Sequence, residues 1–240
     1  MDKLNLGQHI SRQFNAELEE VRTNVLHMGG IVEEQVSDAV AALLGGDAEL
    51  VKKVKKSDTR VNLLEVEIDD ECVRIVARRQ PAATDLRLVM SVIKTINDLE
   101  RIGDEAKRVA RMSQEDLGGV IQEEVRQEIG HMGDLVREML RNVLNAFART
   151  DVDLAAAVVQ ADRKVDRKYK SITRKLTEHM GQDPESVPAF MNLLWATRSL
   201  ERMGDRCQNI AEYVIYLVLG TNVQHTKVDD VLAEIEARSD

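Results

Sequence analysis

The sequence predicts an all-α protein made of two pseudo-symmetric, antiparallel three-helix bundles related by an internal duplication. Three observations carry that prediction. The composition is 43% hydrophobic but only 3% aromatic, and it is dominated by Ala, Leu, Val, Glu and Arg, which suit long helices better than sheets. With 3 Pro and 13 Gly in 240 residues, turn signals are sparse and leave uninterrupted runs between them. One segment also occurs twice: Leu99-Glu100-Arg101-Ile102-Gly103-Asp104 returns as Leu200-Glu201-Arg202-Met203-Gly204-Asp205, an offset of 101.

The elements follow from the punctuation. Gly45-Gly46-Asp47 ends the first helix and supplies an N-cap for the second; Gln80-Pro81 ends the second, and Gly118-Gly119 follows the third. Arg149-Thr150-Asp151 and Gly181-Gln182-Asp183-Pro184 cut the remainder into three more helices, and Gly220-Thr221-Asn222 leads into a polar tail. His27-Met28-Gly29 recurs as His131-Met132-Gly133, Asp47 as Asp151 and Asp58 as Asp162, all at an offset of 104, so a three-residue shortening near Pro184 reconciles the two registers. The expected units are residues 1–115, residues 116–220 and a tail over 221–240. Short connections make neighbouring helices antiparallel.

Charge narrows the function classes. A formal net charge of -9 argues against nucleic acid as a main partner, since phosphate binding needs a concentrated basic face. The one basic run read from the sequence is Lys52, Lys53, Lys55 and Lys56, which spreads around a helix as a solvated surface. Cys72 and Cys207 fit no metal or redox spacing and are expected to pack as small apolar residues. With no signal-like or membrane-length apolar segment, the cytoplasm is the default location.

The chemistry sits where acids interrupt apolar seams. The second helix reads Val51, Val54, Asp58, Val61, Glu65, Ile68, Cys72, Ile75, and its copy reads Ala155, Val158, Asp162, Val165, Tyr169, Ile172, Leu176. In the third helix Leu86, Val89, Ile93, Asn97, Glu100 and Asp104 share a stripe; in the sixth the stripe is Val187, Phe190, Leu194, Arg198, Glu201 and Asp205. Adjacent helices then bring Asp58 and Asn62 towards Glu100 and Asp104, and Asp162 and Asp166 towards Glu201 and Asp205. Acids one helical turn apart repel and need a counter-charge, which a divalent or trivalent cation would supply. Oxygen donors suit Mg, Mn, Ca or Fe.

Other signals are weaker. Gly103 and Gly204 cost helix stability and point to close packing. Arg101 and Arg202 are candidates for contact with a partner or an anion, without a phosphate loop beside them. Glu128-Ile129-Gly130-His131 has the Glu-x-x-His spacing of di-iron bundles, but the first half carries Asn24 in place of the Glu, so the paired His-Met-Gly reads as a helix contact.

At Arg79-Gln80-Pro81-Ala82-Ala83-Thr84-Asp85-Leu86-Arg87, then Lys94 and Leu99-Glu100-Arg101-Ile102-Gly103-Asp104, the chain strongly resembles the PhoU family of bacterial phosphate-signalling regulators. The resemblance implies paired three-helix bundles and Glu/Asp-x-x-x-Asp motifs that hold metal ions (Mg, Mn, Fe or Zn) in some members. On this chain they are Glu100 to Asp104, Asp162 to Asp166 and Glu201 to Asp205, with Asp58 to Asn62 a weaker fourth. Asn62 brings no charge, so unequal occupancy of the two halves is expected. The resemblance further implies a non-enzymatic role: helping a phosphate ABC transporter, through its ATPase subunit, to restrain a sensor histidine kinase, as a homodimer that reaches the membrane only through partners. The rival readings are a di-metal carboxylate oxidoreductase and a metal-free helical adapter.

Overall fold

The computed structural model describes residues 12–113, 122–223 and 230. Six long helices account for almost all of them: α1 (Arg12–Gly45), α2 (Ala48–Arg79), α3 (Ala83–Met112), α4 (Glu123–Arg149), α5 (Val152–Gln182) and α6 (Val187–Leu219). A 3-10 turn at Pro184–Ser186 leads into α6. Among the described residues there is no strand. The expected unit boundary at 115/116, the Gly118-Gly119 break and most of the tail over 221–240 lie outside the described residues.

Local chemistry sets the helix ends. Asp47 accepts from the Glu49 and Leu50 amides, and Asp151 accepts from the Leu154 amide, so the same aspartate caps the second helix of each repeat. The residue before each cap is left-handed, Gly46 at φ 68° and Thr150 at φ 50°, so the duplication preserves a backbone conformation although the glycine is gone from the second copy.

Within each repeat all three helices pack on one another. The α2 seam is as read: Val54, Asp58, Val61, Ile68, Cys72 and Ile75 are buried, and the matching α5 residues Ala155, Val158, Asp162, Val165, Ile172 and Leu176 are buried too. The α3 stripe needs correction. Leu88, Val92, Ile96, Leu99, Ile102, Ala106 and Val109 form its core face, while Leu86 and Asn97 are exposed and Ile93, Glu100 and Asp104 half-buried. Of the predicted stripe only Val89 is fully buried; the rest is the flank of α3 that borders α2, and its acids line a groove at the edge of the core.

The halves join through α3 on α6 and α1 on α4, and one apolar cluster runs through both. Four polar contacts between α3 and α6 pair residues 87 with 217, 91 with 213, 98 with 206 and 105 with 199, and each pair of numbers sums to 304. A constant sum is an antiparallel register. With the repeat offset of 101, that register places the pseudo-twofold axis beside Arg101-Ile102 and Arg202-Met203, inside the duplicated motif. The α1/α4 contact obeys the same symmetry: a Cβ on Gly29 would lie 2.3 Å from Leu144, and one on Gly133 would lie 2.8 Å from Val40, which is the symmetry-related pair. Met28 and Met132 beside them are wholly buried, so the repeated His-Met-Gly is a helix-contact motif, as expected.

Candidate functional site

Each half gathers its acids between its second and third helices. In the first, Asp58 on α2 is only 5% exposed. Lys107, one turn beyond the motif on α3, donates to Asp58 Oδ2 at 2.6 Å and to Asp104 Oδ1 at 3.2 Å. Glu100 is half-buried, and burial, followed by the charges of Asp104, Glu65 and Asp58, raises its carboxyl above the ordinary value. Asn62 is exposed and has no part in this cluster's contacts.

In the second half Asp162 and Glu201 are each 8% exposed, Asp166 is half-buried and Asp205 lies at the surface. Burial, then the charges of Asp205, Asp166 and Glu201, pushes the Asp162 carboxyl up to about 7. Burial and Asp205 raise Glu201, with Arg198 opposing; burial and Asp166 raise Asp205. Gly204 gives the Asp162 carboxylate its room: a Cβ there would lie 3.0 Å from Asp162 Oδ1 and 3.3 Å from Val165. Gly103 serves a different neighbour, the buried Gln35, whose Nε2 donates to the Gly103 carbonyl at 3.1 Å. Both glycines are close-packing sites, as the sequence indicates.

The expectation that only a cation supplies the counter-charge needs correction, because basic side chains supply part of it. Lys107 does so in the first half, and in the second Arg198 pairs with Glu201 while lying over the Tyr169 ring at 5.5 Å. The two compensations are not equivalent. At the repeat offset of 101 the counterpart of Lys107 is Gln208, which donates instead to Glu212. The second cluster thus carries Asp166 where the first has Asn62, and its base moves from the Lys107 position to Arg198, the counterpart of Asn97.

Three buried carboxylate oxygens in these clusters have no hydrogen-bond partner: Asp58 Oδ1, Asp162 Oδ1 and Glu201 Oε2. A buried anionic oxygen left without a donor is costly, and a hard cation on oxygen ligands would satisfy it. Orphaned oxygens and crowded acids fit such an ion best at Asp162, Asp166, Glu201 and Asp205. Among the described residues, however, no three carboxylate, imidazole or thiol side chains already converge as a ligand shell, so ion binding requires side-chain rotation.

The motif arginines sit at the pseudo-twofold axis. Arg101 is exposed, and Arg202 reaches Glu105 across the junction at 3.2 Å. Sequence reasoning missed the polar core of this junction. Asp98 accepts from the Tyr213 hydroxyl at 2.9 Å and from Arg206 at 3.3 Å, while Glu105 accepts from Ser199 at 2.8 Å and from Arg108 at 3.1 Å. The signal lay in the repeat alignment, which matches Asp98 to Ser199 and Glu105 to Arg206, so each acid contacts the counterpart of the other acid.

Glu128 of the Glu-x-x-His accepts from Lys175 at 2.7 Å, and His27 is engaged by Arg60 at 2.7 Å. Both cysteines are fully buried, and burial pushes the Cys72 thiol up to about 12. No described helix is long and apolar enough to cross a membrane.

The chain matches the family model described as PhoU domain twice, over residues 25–113 and 129–214. It is 50% identical over 98% of its length to the phosphate-specific transport system accessory protein PhoU homolog of Pseudomonas putida, covering 92% of that protein. It is 47% identical over 96% of its length to the phosphate-specific transport system accessory protein PhoU of Escherichia coli K12, covering 95% of it. Among solved structures, PhoU from Pseudomonas aeruginosa superposes with a TM-score of 0.84 at 51% identity, covering 87% of this chain and 100% of that one. The phosphate transport system regulatory protein PhoU from Streptococcus pneumoniae gives a TM-score of 0.81 at 30% identity, covering 88% and 99%.

Proposed function

The chain belongs to the PhoU domain family, and on that premise we propose that it is a non-enzymatic regulator of phosphate transport that represses the phosphate-starvation response when phosphate is plentiful. The observation that supports this reading is the similarity, over 96–98% of the chain, to accessory proteins named for phosphate-specific transport. The protein acts as an adapter between the ATPase subunit of a phosphate ABC transporter and a sensor histidine kinase, as a homodimer held at the membrane through its partners. Surfaces rather than a pocket do this work, in keeping with a molecule whose polar chemistry lies on helix faces. Deleting the gene should derepress a phosphate-starvation reporter in high phosphate; full repression in the deletion strain would overturn the role.

Metal is part of the same proposal. Asp162, Asp166, Glu201 and Asp205 would hold a hard cation that cancels their mutual repulsion and sets one spacing between α5 and α6. The cluster of Asp58, Glu100 and Asp104 would hold it more weakly, because Lys107 already occupies their charge and Asn62 adds none. The observation favouring this is the set of orphaned carboxylate oxygens in the matching places. Elemental analysis of protein purified without chelator should show Glu201→Ala with Asp205→Ala removing most of the bound metal, and Glu100→Ala with Asp104→Ala removing the smaller share. Equal content in wild type and both variants would support the metal-free adapter instead.

A further inference from the structure

The two second helices of the repeats have diverged in charge far more than in shape. Residues 59–71 of α2 carry one Arg and five acids, whereas the duplicated stretch 163–175 of α5 carries seven Lys or Arg and one acid, Asp166. The run at Lys52, Lys53, Lys55 and Lys56 is therefore not the chain's main concentration of basic charge; α5 carries a larger one. The sequence run hides the pattern because Val165, Tyr169 and Ile172 interrupt it, but those residues turn towards the core. Arg163, Arg167, Lys170 and Arg174 are all exposed, at spacings of four, three and four, which aligns them along one outward seam. Beside the seam a shallow groove against α4 is lined by His131, Leu135, Lys164, Arg167, Lys168 and Ser171.

We propose that this outward face of α5 is a docking surface for an acidic helix on a partner protein. Like charges at helical spacing repel; Arg174 is offset by Glu178 at 3.9 Å, one turn further along, and the concentration of like charge centres on Arg167 and Lys170. The shape of the charge identifies the class of partner. The basic seam is one helix wide, with Asp134 and Glu138 exposed on the α4 side and, on the α6 side, Asp205 exposed and Asp166 half-buried. An anionic bilayer would press those acids onto lipid phosphates, and none of the large exposed apolar side chains lies on α5 to insert into the hydrocarbon. A helix carrying Glu or Asp at the same four-three spacing meets the seam and spares the flanks. The matching α2 positions, Leu63, Val66 and Asp70, cannot make that contact, so the site is present once per chain.

The test uses the full chain and three probes near physiological salt: a labelled synthetic helix with Glu at four-three-four spacing, a scrambled peptide of equal composition, and phosphatidylserine vesicles. Anisotropy should show preference for the patterned helix. Arg167→Glu with Lys170→Glu should weaken its binding roughly tenfold or more, and the milder Arg167→Gln with Lys170→Gln should weaken it less, with helical circular dichroism unchanged in both. Equal binding of the scrambled peptide, vesicle co-sedimentation without peptide selectivity, or indifference to the charge reversal would each overturn the proposal. So would self-association that depends on these residues, since the acidic flank of α2 on a second copy would then be the occupant.

Discussion

Gly133→Leu should destabilise the protein by about 3 kcal/mol and lower its melting temperature by roughly 6–12 °C. The cause is the α1/α4 contact. A Cβ on Gly133 would stand 2.8 Å and 2.9 Å from the two methyl groups of Val40 and 3.4 Å from its Cβ. Valine has one strongly preferred rotamer on a helix, so Val40 cannot rotate away and the helices must separate instead. Separation opens the seam in which Val40 and Leu44 of α1 meet Gly133 and Gly130 of α4, and with it the symmetry-related contact of Gly29 with Leu144. Gly29→Ala should cost less, because the obstructing atoms belong to the flexible Leu144 side chain, itself 8% exposed. Gly30→Ala should raise stability by about 0.5–1 kcal/mol, since nothing lies within 4 Å of its added methyl and the helix gains propensity. Urea or thermal unfolding of the three variants separates these outcomes; equal stability of Gly133→Leu and wild type would show that the halves are not held together here.

Periodicity and repeats made the scaffold legible because each depends on one chain segment at a time. The seams of α2 and α5, the Asp47 and Asp151 caps and the role of His-Met-Gly were all readable from spacing alone. What spacing could not reveal was which of two adjacent stripes on α3 faces the centre. Glu100 and Asp104 lie on its flank because α3 has to serve α1, α2 and α6 together, a tertiary demand absent from its own sequence. The compensating Lys107 was overlooked for a related reason: it lies one turn outside the recognised motif, and its importance appears only when the alignment is carried on to Gln208. The basic α5 face escaped because counting consecutive residues samples all sides of a helix, whereas a partner meets one.

The buried acids between α5 and α6 determine how the molecule responds to pH. With burial and neighbouring acids holding the Asp162 carboxyl at about 7 against an ordinary value of 3.8, the folded state binds a proton more tightly than the unfolded chain. Below about pH 4 both states are protonated and the group is neutral in its effect on stability. As pH rises from there towards 7 the unfolded chain releases the proton first, so stability falls across that window; above it the folded protein carries the whole penalty, on the order of 2–4 kcal/mol. The raised carboxyls of Glu201 and Asp205 act in the same direction. Asp162→Asn should therefore stabilise the metal-free protein at pH 8 by about 2 kcal/mol, leave it nearly unchanged at pH 4, and flatten the slope between, as read by urea unfolding in the presence of chelator. A divalent cation should stabilise the wild type increasingly as pH rises, because binding requires the ionised acids, and should stabilise the Asn variant much less. If the variant were instead less stable than wild type at pH 8 with chelator present, the charge on Asp162 would have to be satisfied by the protein itself, and the case for a cation between α5 and α6 would fail with it.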